Sequence, residues 1–169
     1  MVEFYDLIDD YVDDCLLDEN ITSAKTFISI TSLGNIPYIR YPGFSKDNNL
    51  EALEAAREVL YKARTENKSN GTAMTYKLDR YRGENDYALV FGDETSVKFM
   101  SDPKTKEIVE TTNDLAVINL HNHPKGSSFS FNDMGIFLMT GNIRLMTVLN
   151  NKGEISALFR CKQMDYIRM

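Results

Sequence analysis

The chain carries only two cysteines, Cys15 and Cys161, among its 169 residues. That is too few for a disulfide framework, and the composition needs none, so a reducing compartment such as the cytoplasm is the expected location. Proline (4) and glycine (9) are sparse and charged residues reach 26%, which excludes collagen-like, low-complexity and charge-dominated disordered chains. No apolar run approaches the roughly 20 residues that a membrane helix requires, so a soluble protein without a membrane partner is expected. The first 20 residues contain no Lys or Arg, whereas export and transit signals begin with positive charge, so neither is read here. Basic residues are nowhere gathered into the dense stripe that phosphate-backbone binding needs, which weighs against nucleic acid as a partner.

What remains is 43% hydrophobic, enough for one real core in a chain of ordinary domain length. The net charge of −6 is concentrated in Glu3, Asp6, Asp9, Asp10, Asp13, Asp14, Asp18 and Glu19, and the rest of the chain holds 17 acids against 19 bases. Within this acidic arm, residues 1–20, the apolar positions Phe4, Leu7, Ile8, Tyr11, Val12, Cys15 and Leu16 recur at steps of three and four. That spacing predicts an amphipathic helix over 3–17. Its apolar stripe suits either docking on the body or engagement of a protein partner.

Residues 21–80 form the next section. Thr26 to Ile30 is a short β-like run among turn-forming residues. Asn48 and Glu51 have capping-box spacing, and Leu53, Ala56, Val59, Leu60 and Ala63 repeat at helical period, which predicts a helix over 49–66. Met74 to Arg80 suits a strand or a loop. In residues 81–160, Tyr87–Phe91 and Ser96–Met100 flank Gly92-Asp93 as an expected hairpin. Residues 104–111 are a polar connection with room for a helical turn, and Leu115 to Leu120 is a compact apolar strand. A helix from Phe131 to Thr140 is stopped by Gly141-Asn142. Ile143–Leu149 and Ile155–Arg160 flank Asn151-Lys152-Gly153 as a second hairpin, and residues 161–169 are a tail. The sum is a mixed α/β domain of the α+β kind, with a mostly antiparallel sheet flanked by helices.

The only two histidines of the chain are His121 and His123, and chance alone would place two histidines two apart roughly 1% of the time. In an extended strand, side chains i and i+2 share a face, so both imidazoles can converge on one ion. Two imidazoles suit Zn²⁺ but do not close a site. Asp133, in the first turn of the following helix, is the natural third ligand. Ser130, three residues earlier, is placed to cap that helix, whose amino end favours an ionised carboxylate. Read alone, a Ser-x-x-Asp pair is an ordinary cap. Asn119 shares the strand face of His121; a lone Asn there reads first as an ordinary structural hydrogen-bonder and second as a supporting partner of the ligand.

The run His121-Asn-His123-Pro124 followed by Ser130-Phe-Asn-Asp133 resembles the His-x-His-Pro…Ser-x-x-Asp signature of the JAB/JAMM (MPN-type) metalloproteases. The resemblance spans about residues 80–160. It is nearest in wording to the bacterial and phage branches: RadC-type proteins and the JAB-like domains of phage head-associated and polymorphic-toxin proteins. The gap between Pro124 and Ser130 is one residue shorter than in the eukaryotic and RadC-type patterns. The resemblance implies a JAB/MPN-like fold in the cytidine-deaminase-like neighbourhood, with zinc held by His121, His123 and Asp133. It also implies that Ser130 stabilises the oxyanion and that a glutamate ahead of an early strand acts as general base. Glu84, before Tyr87–Phe91, is the best match, with Glu94, Glu107 and Glu110 as alternatives. The implied activity is zinc-dependent hydrolysis of a peptide or isopeptide bond in a peptide or protein substrate. The other readings are a metal-stabilised or degenerate JAB-like interaction domain in a phage, toxin or defence system, and a RadC-like nucleic-acid-associated protein. The tripeptide His-Asn-His is not the dispersed triad of HNH nucleases, and no Pro-Cys-x-x-Cys segment supports a zinc deaminase.

Overall fold

A computed structural model of the chain describes residues 24–79 and 86–160. The helix expected over 3–17, Glu84 and the tail 161–169 lie outside the described residues. The architecture is α+β: a five-stranded mixed sheet between two helical layers. The elements are α1 (Ile30–Asn35), α2 (Lys46–Glu66), β1 (Thr72–Lys77), β2 (Tyr87–Phe91), α3 (Pro103–Thr111), β3 (Val117–His123), α4 (Phe131–Met139), β4 (Ile143–Asn150) and β5 (Ile155–Phe159). The strand order is β2-β1-β3-β4-β5. Only β3 and β4 run parallel, and the other pairs are antiparallel. The mostly antiparallel sheet therefore stands as expected. β1 lies between β2 and β3, so the sheet around the histidine strand draws on residues ahead of position 81 as well as after it.

Alternation along β3 sorts the two layers. Ile118 and Leu120 face α2, whose buried Ala52, Ala55, Ala56, Val59, Leu60 and Ala63 form one side of the larger core. The small side chains let the helix lie close to the sheet, and each larger one, such as Leu60, contributes about 1.5–3 kcal/mol by burial. Val117 faces the opposite layer, where Ile136 and Phe137 of α4, with Phe99, Ile143 and Met146, make the second core. The parity that puts Val117 on this side also puts Asn119, His121 and His123 there. No helix among the described residues is long and apolar enough to cross a membrane.

Three local expectations are corrected. The run from Thr26 to Ile30 is not a strand: the chain is irregular to Ser29, whose hydroxyl accepts from Ser32 N and starts α1. The cap of α2 is Ser45 rather than Asn48, since Ser45 Oγ accepts the Asn48 amide at 3.1 Å. Asn48 and Asn49 turn inward instead, and Asn49 Oδ1 accepts from Tyr41 N at 3.1 Å. The hairpin of Tyr87–Phe91 with Ser96–Met100 does not form, because β2 pairs with β1, Tyr76 opposite Tyr87 and Thr72 opposite Phe91. Asp93 Oδ1 captures the amides of Thr95 and Ser96 at 2.8 and 2.9 Å, which removes them from any ladder. Residues 99–101 then make one 3-10 turn that buries Phe99. The polar connection after it is a full helix, α3, capped by Asp102 with Pro103 in its first turn.

Candidate metal centre

β3 ends at His123, and the loop 124–130 returns the chain to α4, so the end of a central strand meets the start of a helix. Ser130 caps α4: its Oγ accepts from Asp133 N at 3.1 Å, while Asp133 Oδ2 accepts from Ser130 N at 3.0 Å. This reciprocal pair turns the Asp133 carboxylate back towards β3. His121 Nε2 lies 3.2 Å from Asp133 Oδ1, and His123 Nε2 lies 3.2 Å from Asp133 Oδ2. One ligand atom from each of the three side chains falls within 4.8 Å of the others. Tetrahedral zinc at bond lengths of about 2.0–2.2 Å places neighbouring ligand atoms roughly 3.3 Å apart. The spacing of the two histidine–carboxylate pairs fits that requirement. This buried group can hold a metal ion.

Hydrogen bonding on the far side of each ring fixes what faces the carboxylate. Asn119 Nδ2 donates to Thr75 Oγ1 at 3.0 Å, which leaves Asn119 Oδ1 to face His121 Nδ1 at 3.1 Å. An amide oxygen is an acceptor only, so His121 carries its hydrogen on Nδ1 and presents a lone pair from Nε2. His123 Nδ1 lies 3.1 Å from the Ser127 carbonyl oxygen, also an acceptor only, with the same consequence. In the neutral tautomers two nitrogen lone pairs confront an anionic carboxylate, an arrangement that calls for a cation between them. His121 Nε2 is buried and its approach to Asp133 makes no hydrogen bond of acceptable geometry. A metal ion would satisfy it.

Without a metal, protons must do this work. Burial alone would raise the Asp133 carboxyl, but the electrostatic pull of His121, with the hydrogen bond and charge of His123, outweighs it and holds the group well below the usual carboxylate range. Burial would lower His123, yet the hydrogen bond and charge of Asp133 raise it above the ordinary imidazole value. Phe99 lies against His121, ring centroids 5.3 Å apart, and shields the site from below.

The three side chains open into a cleft of about 360 Å³, bordered on one side by residues 94–97 and on the other by residues 124–132. Asp93 stiffens the first wall, and the Thr95 amide is the main cause of its depressed pKa. Val97, Phe129 and Phe131 give the cleft apolar sides, with Ser127, Ser128 and Lys125 at its rim. Of the alternative glutamates, Glu94 lines this cleft, exposed and 3.8 Å from Lys25 Nζ. Glu107 and Glu110 occupy exposed positions of α3 and do not line it.

Sequence reasoning brought His121, His123, Asp133, Ser130 and Asn119 to one place. It missed Phe99 and the network beneath the histidines. Asn122 points to the other face of β3, where its Oδ1 accepts from Thr72 N at 2.7 Å and its Nδ2 donates to Asn151 Oδ1 at 2.8 Å. Asn151 Nδ2 in turn donates to Thr26 O and Ser69 O. These bonds lock the end of the histidine strand to β1 and to the β4–β5 turn. A polar residue at a position whose alternation demands burial was the available signal. The chain matches no protein-family model, no curated protein and no solved structure.

Proposed function

We propose that the protein is a zinc-dependent hydrolase of JAB/JAMM type that cleaves a peptide or isopeptide bond. The observation that carries this reading is the pair of Nε2 lone pairs, each fixed from behind by an acceptor, converging on one buried carboxylate beside an open cleft. Zinc supplies Lewis acidity, polarising a carbonyl and making water acidic near neutral pH. Glu84 takes the proton released by the water and returns it to the leaving amine. Ser130 accepts from the Asp133 amide through its oxygen and keeps its own hydroxyl hydrogen for the oxyanion that develops on the substrate. The apolar cleft sides and the serine-lined rim suit an extended peptide segment, gripped through both backbone and side chains.

The test is a cleavage-site screen of peptide and conjugated-protein substrates, with zinc and chelator arms, alongside metal analysis of the wild type, Glu84→Gln and His123→Ala. The hydrolase reading expects Glu84→Gln to retain zinc and lose turnover. It expects His123→Ala to lose both. Zinc-dependent folding with no turnover in any arm would instead identify a metal-stabilised interaction domain.

A further inference from the structure

β3 holds its two histidines unequally. His121 is paired on both sides, with Ala73 of β1 and Val148 of β4, whereas His123 lies past the end of the β1 ladder and is paired only with Asn150 of β4. A half-paired strand end opens more readily than the strand's middle, so a ligand placed there needs another restraint to keep its ring aimed.

That restraint is a closed circuit of hydrogen bonds around His123. Asn122, on its amino side, donates from Nδ2 to Asn151 Oδ1 at 2.8 Å. Asn151 Nδ2 donates to Thr26 O at 2.6 Å, and Thr26 N donates to Pro124 O at 3.0 Å, on the carboxyl side of His123. The covalent chain from 122 to 124 completes the ring. Chemistry fixes the direction of both amides. Thr72 N can only donate, so Asn122 turns Oδ1 to it, and Thr26 O and Ser69 O can only accept, so Asn151 turns Nδ2 to them. All four amide hydrogens are used, since Asn122 gives its second to Asn70 O at 3.2 Å. Both asparagines are 1% exposed, so water does not compete for these bonds, and breaking one leaves a buried polar group unsatisfied. Neither Asn151 nor Thr26 lines the cleft.

We propose that Asn151 and Thr26 are positioning residues for the metal centre. Through the circuit they hold the backbone on both sides of His123, in place of the missing β1 pairing, and keep its Nε2 on Asp133, 3.2 Å away. The inference rests on the metal reading of the site and not on the peptidase activity.

The circuit can be broken at two points. Asn151→Ala removes its central amide, and Thr26→Pro removes the N–H that reaches Pro124. Leu60→Ala, in the core between α2 and the sheet, is the control: it destabilises the fold without entering the circuit. Zinc affinity of each full-length protein is measured by chelator competition well below its Tm. Both circuit variants should bind zinc roughly tenfold more weakly than the wild type. The double variant should bind no more weakly than the weaker single, because members of one network are not additive. The control should lose Tm and keep its zinc affinity within about twofold. In metal-free protein the Gly126 amide, which donates to His123 O at 3.0 Å, should exchange faster in both circuit variants. It should not do so in the control, since a loop amide exchanges by local opening. If Asn151→Ala does not fold, Thr26→Pro decides alone. Zinc affinity unchanged by the circuit variants, losses that multiply in the double variant, or an equal loss in the control would each overturn the proposal while leaving the metal centre in place. A wild type that binds no zinc would remove the metal centre, and the inference with it.

Discussion

Asn119 Oδ1 sits 3.1 Å from His121 Nδ1, on the side of the ring opposite Asp133. Thr75 Oγ1 takes the Asn119 amide hydrogen, so a residue on the neighbouring strand β1, directly opposite Asn119, decides which nitrogen of His121 is free. Asn119→Leu keeps the size and removes the acceptor. It is expected to weaken zinc binding about 10–100-fold, the usual cost of losing a partner that orients a ligand. Competition against a chromophoric chelator measures this, and unchanged affinity would show that the tautomer is set elsewhere.

Metal should stabilise the fold through the same three side chains. At a zinc concentration about 100 times the dissociation constant, linkage predicts roughly 2.7 kcal/mol, or a rise in Tm of about 5–10 °C for a chain of this size. Asp133→Asn should abolish the rise and leave the metal-free Tm lower, since the neutral amide removes the negative charge that raises His123. Thermal melts of both proteins with and without zinc decide it. An equal rise in the variant would mean that zinc binds somewhere other than His121, His123 and Asp133.

How far residues alone led to this site has a physical explanation. His121 and His123 share a face by the two-residue period of a strand, and Ser130 and Asp133 share a turn by the geometry of a cap, so each pair was readable locally. Their meeting depends on the loop 124–130 and on the strand order, which no local pattern encodes. The same distinction explains the errors. The turn at Gly92-Asp93 looked like a hairpin because the competing partner of β2 is β1, at the end of an ambiguous run, and because Asp93 takes the amides a ladder would use. The cap of α2 moved to Ser45 because its hydroxyl takes the Asn48 amide, which puts Asn48 inside the helix, where it and Asn49 are buried by contacts that exist only after folding.

The metal-free protein should have an acid-side stability optimum. Asp133 is depressed below its ordinary 3.8, so its contribution is complete above pH 3.8 and is lost only as pH falls through the much lower folded value. His123 is raised above 6.5, so its contribution is complete below pH 6.5 and is lost as pH rises through the raised value. Together they predict a maximum in metal-free Tm between pH 3.8 and 6.5, declining on the alkaline side. A metal ion held at this site would compete with the His123 proton, so a zinc-induced rise in Tm should grow as pH increases. A metal-free Tm that stays flat from about pH 5 to 9 would remove the ion pair from the account.

Gly92 controls the wall of the cleft without touching its ligands. A Cβ there would stand 2.1 Å from Ser96 O and 2.7 Å from Val97 Cα, both backbone atoms of the segment that borders the site. Gly92→Ala must therefore push that segment away, at a cost of about 1–3 kcal/mol typical of overpacking. The ligands come from β3 and α4 and should stay in place. Zinc affinity is expected to change less than about threefold, whereas KM for any cleaved peptide should rise, because binding geometry and not the metal has moved. If zinc affinity falls in step with turnover, the wall and the ligand set form one unit.

Ser130 separates a cap from a catalytic donor. Its oxygen accepts the Asp133 amide at 3.1 Å, and that role alone predicts a loss of about 1 kcal/mol of stability in Ser130→Ala. Donation to an oxyanion predicts more: a fall in kcat of about 10²–10³-fold with little change in KM. Ser130→Asp is the informative companion, because aspartate caps a helix as well as serine does but has no hydrogen to donate at neutral pH. It should restore stability and leave kcat low. If Ser130→Asp recovers both, Ser130 is a cap and the oxyanion depends on other groups.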